Sequence, residues 1–336
     1  MKINNKNFFI CSVLKVKRKT LSSFYKQNFR NKFLFIKKNW KWLYRTNFKK
    51  KIYPLVMFKD NKIIGHSGHM PFELLINKKK YLSSWFVDFK IISKFQNYGY
   101  GSYLAEEWIK KVQIGFAFCN NKSLKVFKKN KWNLYKNFFL FSLFSNPFNY
   151  FKLTRLFPNK IIHVLNNFFL FFFKKVNKFK KQKIIFHNLN YKNLKLINST
   201  KDEHFFKWRV LKSPNLKNYK IISLEDKNFF FLLKINKKKK LKYLEILLSS
   251  EIIDNDYLRN FILNLHSWSH KKNYCYIKIL LKKKVVNKIN IFTSFKKKLN
   301  FVFFLKNNLI KGNFKKEILN FQLMPYHTYL IIKNMI

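Results

Sequence analysis

The chain repeats itself. Lys41-Trp42 recurs as Lys207-Trp208, an offset of 166 residues, and the register holds as far as Asp60 and Asp226. Tyr53 matches Tyr219, Leu55 and Val56 match Ile221 and Ile222, and Phe58 matches Leu224. A lysine-rich chain aligns Lys with Lys by chance, but not Trp, Tyr and Asp at one offset. Each copy reads as a helix ending in Lys-Trp, a loop (from Asn47, and from Ser213-Pro214-Asn215), an apolar strand, a polar turn and a second strand. Two copies of one domain account for all 336 residues without a third module.

After the repeat the copies diverge. In the first, strands are expected at Ile63 to Phe72 and Tyr81 to Ile92, joined by a turn at Asn77 to Lys80. A helix at Ser102 to Gln113, a buried strand at Ile114 to Cys119 and a short helix at Ser123 to Lys129 follow. In the second, strands are expected at Phe229 to Ile235 and Leu241 to Ser249, a helix at Asn255 to His270 and a strand at Tyr274 to Leu281. Pro147 and Pro158 break the aromatic-rich stretch between them. The boundaries are therefore 1–133, a linker at 134–195, and 196–336. The class is α+β, each domain a mixed, mostly antiparallel sheet flanked by helices.

Charge enters as a question about partners. Lys and Arg number 71 against 14 Asp and Glu, a net +57, which suits nucleic acid, anionic lipid or acidic substrates. Only six of the 71 are Arg, the residue suited to bidentate phosphate and base contacts. The lysines travel with Asn, Ile and Phe, the residues that AT-rich codons encode, so coding bias is the simpler source. Cys11, Cys119 and Cys275 are far apart and form no CxxC pair, which indicates neither disulfides nor zinc and points to a reducing, cytoplasmic setting. The apolar runs Phe138 to Phe144 and Ile161 to Phe173 are short of the roughly 20 residues a spanning helix needs. The second, interrupted by His163, Asn166 and Asn167, reads as a buried or interfacial helix, so only peripheral membrane contact is open.

Five of the six glycines lie between Gly65 and Gly115, and the other is Gly312. Such clustering asks for a backbone reason. Gln96-Asn97-Tyr98-Gly99-Tyr100-Gly101 stands directly after an apolar strand and before the helical run Ser102 to Trp108. Glycines there let successive N–H groups turn to one point, and the helix start adds its positive end, the makings of a pyrophosphate cradle. A tight structural turn is the alternative.

The segment Gln-x-x-Gly-x-Gly after a strand, preceded by a hairpin with Ile64-Gly65, resembles the acetyl-CoA-binding motif of the GNAT acyltransferase superfamily. Asn120, Ser123, Phe127 and Trp132 resemble the family's segment after its fifth strand. The likeness covers residues 40 to 133. The second copy has Ser249-Ser250-Glu251-Ile252-Ile253-Asp254 in place of the glycine loop, so the whole resembles a tandem GNAT-like protein with a degenerate second half that helps to shape the acceptor site. The resemblance implies that backbone groups of Ile91 and Ile92 pair with the pantetheine arm of acetyl-CoA. It further implies that amides of Gln96, Asn97, Tyr98, Gly99, Tyr100, Gly101 and Ser102 hold the pyrophosphate, and that Asn120 sits by the thiol. No metal is implied. An acceptor amine would attack the thioester directly, with Asp88 removing its proton through water; a charge paired to one of the lysines is the other reading of Asp88. Phe127 stands where the family often has the tyrosine that protonates the thiolate, leaving Tyr103, Tyr135 or water. Trp208-Arg209, Pro214 and Tyr219 resemble a pattern of enzymes of surface-polysaccharide biosynthesis, which implies an amino-sugar acceptor. Two alternatives stand beside this: a Fem-like peptidyltransferase using aminoacyl-tRNA, and a non-catalytic protein that binds nucleic acid or a membrane surface. Oligomeric state is not read from the sequence.

Other constellations carry less. His66-x-x-His69 on a strand places the rings on opposite faces. His266-x-x-x-His270 has helical zinc-ligand spacing but no acidic companion, and reads as an exposed helix end.

Overall fold

The computed structural model describes residues 8–44, 52–76, 79–151, 157–197, 203–226, 229–238, 240–249, 254–289, 291 and 294–306. The expected loop from Asn47, the turn residue Asn77, the stretch 250–253 and Gly312 lie outside them. The chain forms two compact units. Unit 1 takes Met1–Lys136, Thr200–Pro214 and Asn300–Ile336; unit 2 takes Asn137–Ser199 and Asn215–Leu299.

Unit 1 begins with β1 (Phe8–Ser12), followed by α1 (Arg18–Asn28) and α2 (Phe33–Tyr44). Next come β2 (Leu55–Lys59), β3 (Lys62–Ile76), β4 (Lys79–Ile91), α3 (Tyr100–Ile109), β5 (Ile114–Cys119) and α4 (Asn121–Lys129). The sheet runs β1-β2-β3-β4-β5 and closes with residues 300–305 of β12 (Ser294–Leu305) against β5. Among the described strands of unit 1, only β4 and β5 pair in parallel. Asp60 and Asn61 turn the β2–β3 hairpin with φ of 48° and 57°, the left-handed pair that a two-residue hairpin turn needs. Apolar residues at helical spacing on α1 (Leu21, Phe24, Tyr25) and α2 (Ile36, Leu43, Tyr44) pack with Val56 and Ile63. Leu104, Ala105 and Trp108 of α3 pack with Met57, Ile64, Phe86 and Ala117. The sheet is thus covered on both faces, and the two apolar stripes explain why β3 and β5 read as nearly continuous buried runs.

Unit 2 is ordered β6-β11-β10-β9-β8-β7: β6 (Asn133–Phe144), β11 (Tyr276–Lys282), β10 (Leu241–Ser249), β9 (Phe230–Lys238), β8 (Tyr219–Leu224) and β7 (Ile184–His187). Its helices are α5 (Asn159–Val176), α6 (Tyr191–Ile197), α8 (Asn255–Lys271) and α9 (Lys283–Ile289), while the short α7 (Glu203–Phe206) belongs to unit 1. Phe173 of α5 and Phe261, Ile262 and Leu265 of α8 fill its core with Phe231, Leu244 and Ile277. The order β8-β9-β10-α8-β11-α9 parallels β2-β3-β4-α3-β5-α4, with β10 and β11 the parallel pair.

Neither unit is a contiguous stretch of chain. The segment expected as a linker, 134–195, carries β6, α5 and β7, and residues 138–144 pair with β11. The repeated residues lie in the β2–β3 and β8–β9 hairpins and in the segments that lead into them; the strands that complete the two sheets come from elsewhere in the chain and carry no repeated residues.

Candidate active site

Two local features of β4 shape the site. Opposite β3 the register slips between His66 and Gly68, pairing His66 with Lys90 and Gly68 with Val87, so β4 holds one extra residue. Asp88 lies in this bulge with φ of 50°, a conformation that costs an L residue unless its surroundings enforce it. On its other edge β4 pairs with β5 only from Ser83 to Trp85, against Ile114 to Phe116. Beyond that the two strands no longer pair, and β5 continues against β12 as far as Cys119. The sheet opens between β4 and β5 at the end from which the glycine loop departs.

That loop runs from Ser93 to the start of α3. Gln96 ties it back, its side-chain Nε2 donating to the Ile91 carbonyl at 2.8 Å and its amide to Ser93 O at 3.1 Å. Asn97 and Gly99 then take φ of 71° and 84°, with ordinary negative values at Tyr98 and Tyr100. Such alternation turns successive N–H groups to one side of the chain. Gly99 is the N-cap of α3, with no side-chain capping bond and no acidic residue in the first turn. Ser102 N donates to Gly99 O at 2.9 Å. Among the described residues no backbone acceptor is found for the amides of Asn97, Tyr98, Gly99, Tyr100 and Gly101. A Cβ on Gly101 would lie 3.2 Å from both Phe89 and Val126, so this glycine is set by close packing.

No family model matches the sequence, and no curated protein matches it. Solved structures do. The chain is similar to a GCN5-related N-acetyltransferase from Anabaena variabilis at 8% identity, covering 90% of this chain and 74% of that one, with a TM-score of 0.56. A putative acetyltransferase from Pyrococcus horikoshii matches at 9% identity, 91% and 92% coverage and a TM-score of 0.53. Saccharomyces cerevisiae N-myristoyltransferase with bound myristoyl-CoA matches at 12%, 89% and 83%, and 0.53.

The chain has the GNAT fold.

Within this GNAT fold the Asp88 carboxylate is buried and doubly held. Lys32 Nζ donates to Oδ1 at 3.0 Å and Tyr44 OH to Oδ2 at 2.6 Å. The Asp88 carbonyl lies 2.9 Å from His66 Nδ1, and His66 Nε2 lies 3.1 Å from Tyr25 OH. Burial lowers the pKa of Lys32 and His66 while Asp88 opposes it, and burial together with Asp88 raises that of Tyr44. Arg209 adds a second buried cation. Its guanidinium carbon lies 4.5 Å from the centre of the Trp42 ring and 4.8 Å from that of Trp208, and burial pushes its pKa down to about 9 against the pull of Asp88. The two tryptophans bond reciprocally, Trp42 Nε1 to Trp208 O at 3.0 Å and Trp208 Nε1 to Trp42 O at 2.7 Å. Sequence reasoning singled out Asp88 but missed Lys32, Tyr44 and Tyr25. No pattern connects these scattered residues, and Lys32 is one lysine among many.

The remaining expected residues separate. Ile92 N donates to Ile64 O at 2.9 Å and the Ile91 carbonyl accepts from Gln96, so both groups already have partners. Asn120 caps α4, its Oδ1 accepting from Ser123 N at 2.9 Å. Phe127 is buried against Phe86, Phe89 and Trp132, a place in the core rather than at a reacting atom. Tyr103 is exposed with its ring against Phe8, and Tyr135 is half-buried on β6. His66 joins the α1–α2 side and His69 stacks on Trp108 of α3, opposite faces as the strand period requires. His266, expected at an exposed helix end, is buried; it and His270 turn to the backbone carbonyls of Phe144 and Ser145. Among the described residues no group of three or more His, Cys, Asp or Glu could hold a metal ion.

Proposed function

We propose that the chain is an N-acyltransferase that moves an acetyl group from acetyl-CoA to an amine, with an amino sugar as acceptor. The observation that carries this reading is the run of five amides, Asn97 to Gly101, without backbone acceptors at the uncapped start of α3, directly after the strand that parts from β5. Amides in that arrangement suit a pyrophosphate. The myristoyl-CoA held by the yeast neighbour supports an acyl-CoA in general; the acetyl group is our choice within that class.

The amine nitrogen attacks the thioester carbonyl, the C–N bond forms and the C–S bond breaks. The acceptor ammonium must first lose a proton. Asp88 takes it through water, with Lys32 and Tyr44 fixing the carboxylate in place. Tyr103, Tyr135 or water returns a proton to the departing thiolate. Calorimetry with acetyl-CoA at moderate salt tests the reading, with ATP and a polyanion as charge controls. Saturable one-site binding well above ATP, lost in Gly99→Asp, is expected. Binding no tighter than ATP overturns it and favours the basic-surface alternatives, aminoacyl-tRNA among them, for which the +57 charge is the supporting observation.

A further inference from the structure

Helix α5 is apolar on the side it turns away from its own unit. Ile162, Asn166 and Phe173 are buried in unit 2. At 100° per residue these three lie within a narrow arc. Ile161, Val164, Phe168, Phe171 and Phe172 lie on the opposite arc and are 45, 65, 62, 63 and 47% exposed. Exposed large apolar residues scattered singly need no explanation, but five on one helical stripe do. The helix spans about 27 Å, so the stripe is long enough to lie along a surface.

What surrounds the stripe decides its partner. From Phe157 to Lys183 the chain has seven lysines, at 160, 174, 175, 178, 180, 181 and 183, and no Asp or Glu. All seven are exposed. A second copy of this chain would bring two such lysine sets together, which like-charge repulsion opposes. RNA would accept the lysines and could stack on the phenylalanines, but not on Ile161 and Val164. An apolar stripe flanked by lysines matches the boundary between anionic headgroups and acyl chains. No helix among the described residues is long and apolar enough to cross a membrane, which leaves the interfacial geometry. We infer that α5 docks the protein on a bilayer surface carrying anionic phospholipid, with Phe168, Phe171 and Phe172 entering the headgroup region and the lysines meeting the phosphates. This holds or fails independently of the acyltransferase reading.

The test is co-flotation of the full chain with vesicles of phosphatidylcholine alone or mixed with phosphatidylglycerol, with poly(U) as the polyanion control. Phe168→Ser combined with Phe171→Ser removes exposed side chains only, and its circular dichroism spectrum and melting temperature serve as folding controls. The parent is expected to bind the mixed vesicles, and the serine variant to bind them at least about tenfold more weakly. Lys174→Gln with Lys175→Gln weakens vesicle binding by roughly tenfold or more. Poly(U) affinity should be the same in parent and serine variant. The inference fails if the parent ignores anionic vesicles or the serine variant floats as the parent does. It fails equally if poly(U) binding drops with vesicle binding, or if the parent self-associates in sedimentation and the serine variant does not.

Discussion

The helix that follows the third hairpin strand begins in opposite ways in the two units. In unit 2, Asp254 caps α8, its carboxylate accepting from the amides of Asp256 and Tyr257 at 3.1 and 3.3 Å, and Asp256 adds a second negative charge in the first turn. In unit 1, Gly99 caps α3 with no side-chain bond, and no acid stands in the first turn. Every helix start leaves donors that something must satisfy. Unit 2 satisfies two of them with its own carboxylate, whereas no side chain caps the start of α3 in unit 1. The bulges differ in the same sense. The strand before each helix is irregular, β4 at Asp88 and β10 between Ile246 and Leu248. The bulge residue in unit 1 is a carboxylate bound to Lys32 and Tyr44; the residue between the shifted pairs in unit 2 is the buried Leu247. The two units share one order of elements, and they differ in the polar groups at the bulge and at the helix start.

The bulge contrast gives the largest expected effect. Asp88→Asn keeps the shape but leaves Lys32 buried without its carboxylate, and removing one partner of a buried pair costs about 3–5 kcal/mol. Urea unfolding should show that loss at neutral pH. A cost below about 1 kcal/mol, the value of a surface pair, would mean the cluster does not hold the bulge.

The two helix starts can be made alike. Gly99→Asp places a carboxylate at the start of α3, as Asp254 does at α8, and Asp tolerates the left-handed conformation better than most residues. Acetyl-CoA affinity should fall by roughly 100-fold, about 3 kcal/mol of lost charge-assisted contact and added repulsion. Asp254→Gly, the reverse change in unit 2, should leave acetyl-CoA binding untouched. Equal losses in both variants would break the contrast.

How much of this was legible beforehand follows from where the signals lay. The glycine loop announced itself because glycine is scarce in this chain and the loop needs it for two separate backbone reasons, a positive φ at Gly99 and close packing at Gly101. The hairpins showed through paired Tyr, apolar and Asp residues, and the segments before them through paired Trp. Asn120 and Phe127 matched a pattern, but the same residue types serve as a helix cap and as core packing, and spacing cannot tell those uses apart. The strands β6 and β12 were not assigned to their sheets, since a strand's partners are set by tertiary pairing that no local period encodes.

Each unit also hides a stacked histidine, and these respond to pH. His69 lies 4.5 Å from the Trp108 ring centre with neither ring nitrogen bonded, and burial holds its pKa well below 6.5. His266 stacks on Phe173 and donates from Nε2 to Phe144 O, and burial lowers it to about 3. In both cases the unfolded chain binds a proton near pH 6.5 that the folded chain refuses, so stability is intact above that pH and falls as pH drops. For each histidine the slope rises toward about 1.4 kcal/mol per pH unit well below pH 6.5, which amounts to roughly 1–2 kcal/mol between pH 6.5 and 5. His69→Phe should remove one such increment and be neutral or stabilising at pH 7.5, because an unbonded imidazole is lost. His266→Phe should flatten the acid slope equally but cost about 1 kcal/mol at pH 7.5 for its hydrogen bond. Chemical unfolding at the two pH values separates these outcomes, and an unchanged acid slope in either variant would locate the proton uptake elsewhere.

The smallest effect concerns the pair that first betrayed the repeat. Trp42 and Trp208 both fall in unit 1, exchange indole hydrogen bonds with each other's carbonyls and both lie against the Arg209 guanidinium. Trp42→Phe and Trp208→Phe each remove one donor and keep an aromatic face, so each should cost about 1 kcal/mol in urea unfolding. The two hydrogen bonds use different donors and acceptors and should add. The guanidinium is shared, and weakening one ring changes what the other contributes. A double-mutant cycle should therefore depart from additivity by more than about 0.5 kcal/mol, and the same cycle on an Arg209→Met background should not. Coupling that persists without the guanidinium would assign it to direct packing of the rings, whose centres lie 6.1 Å apart.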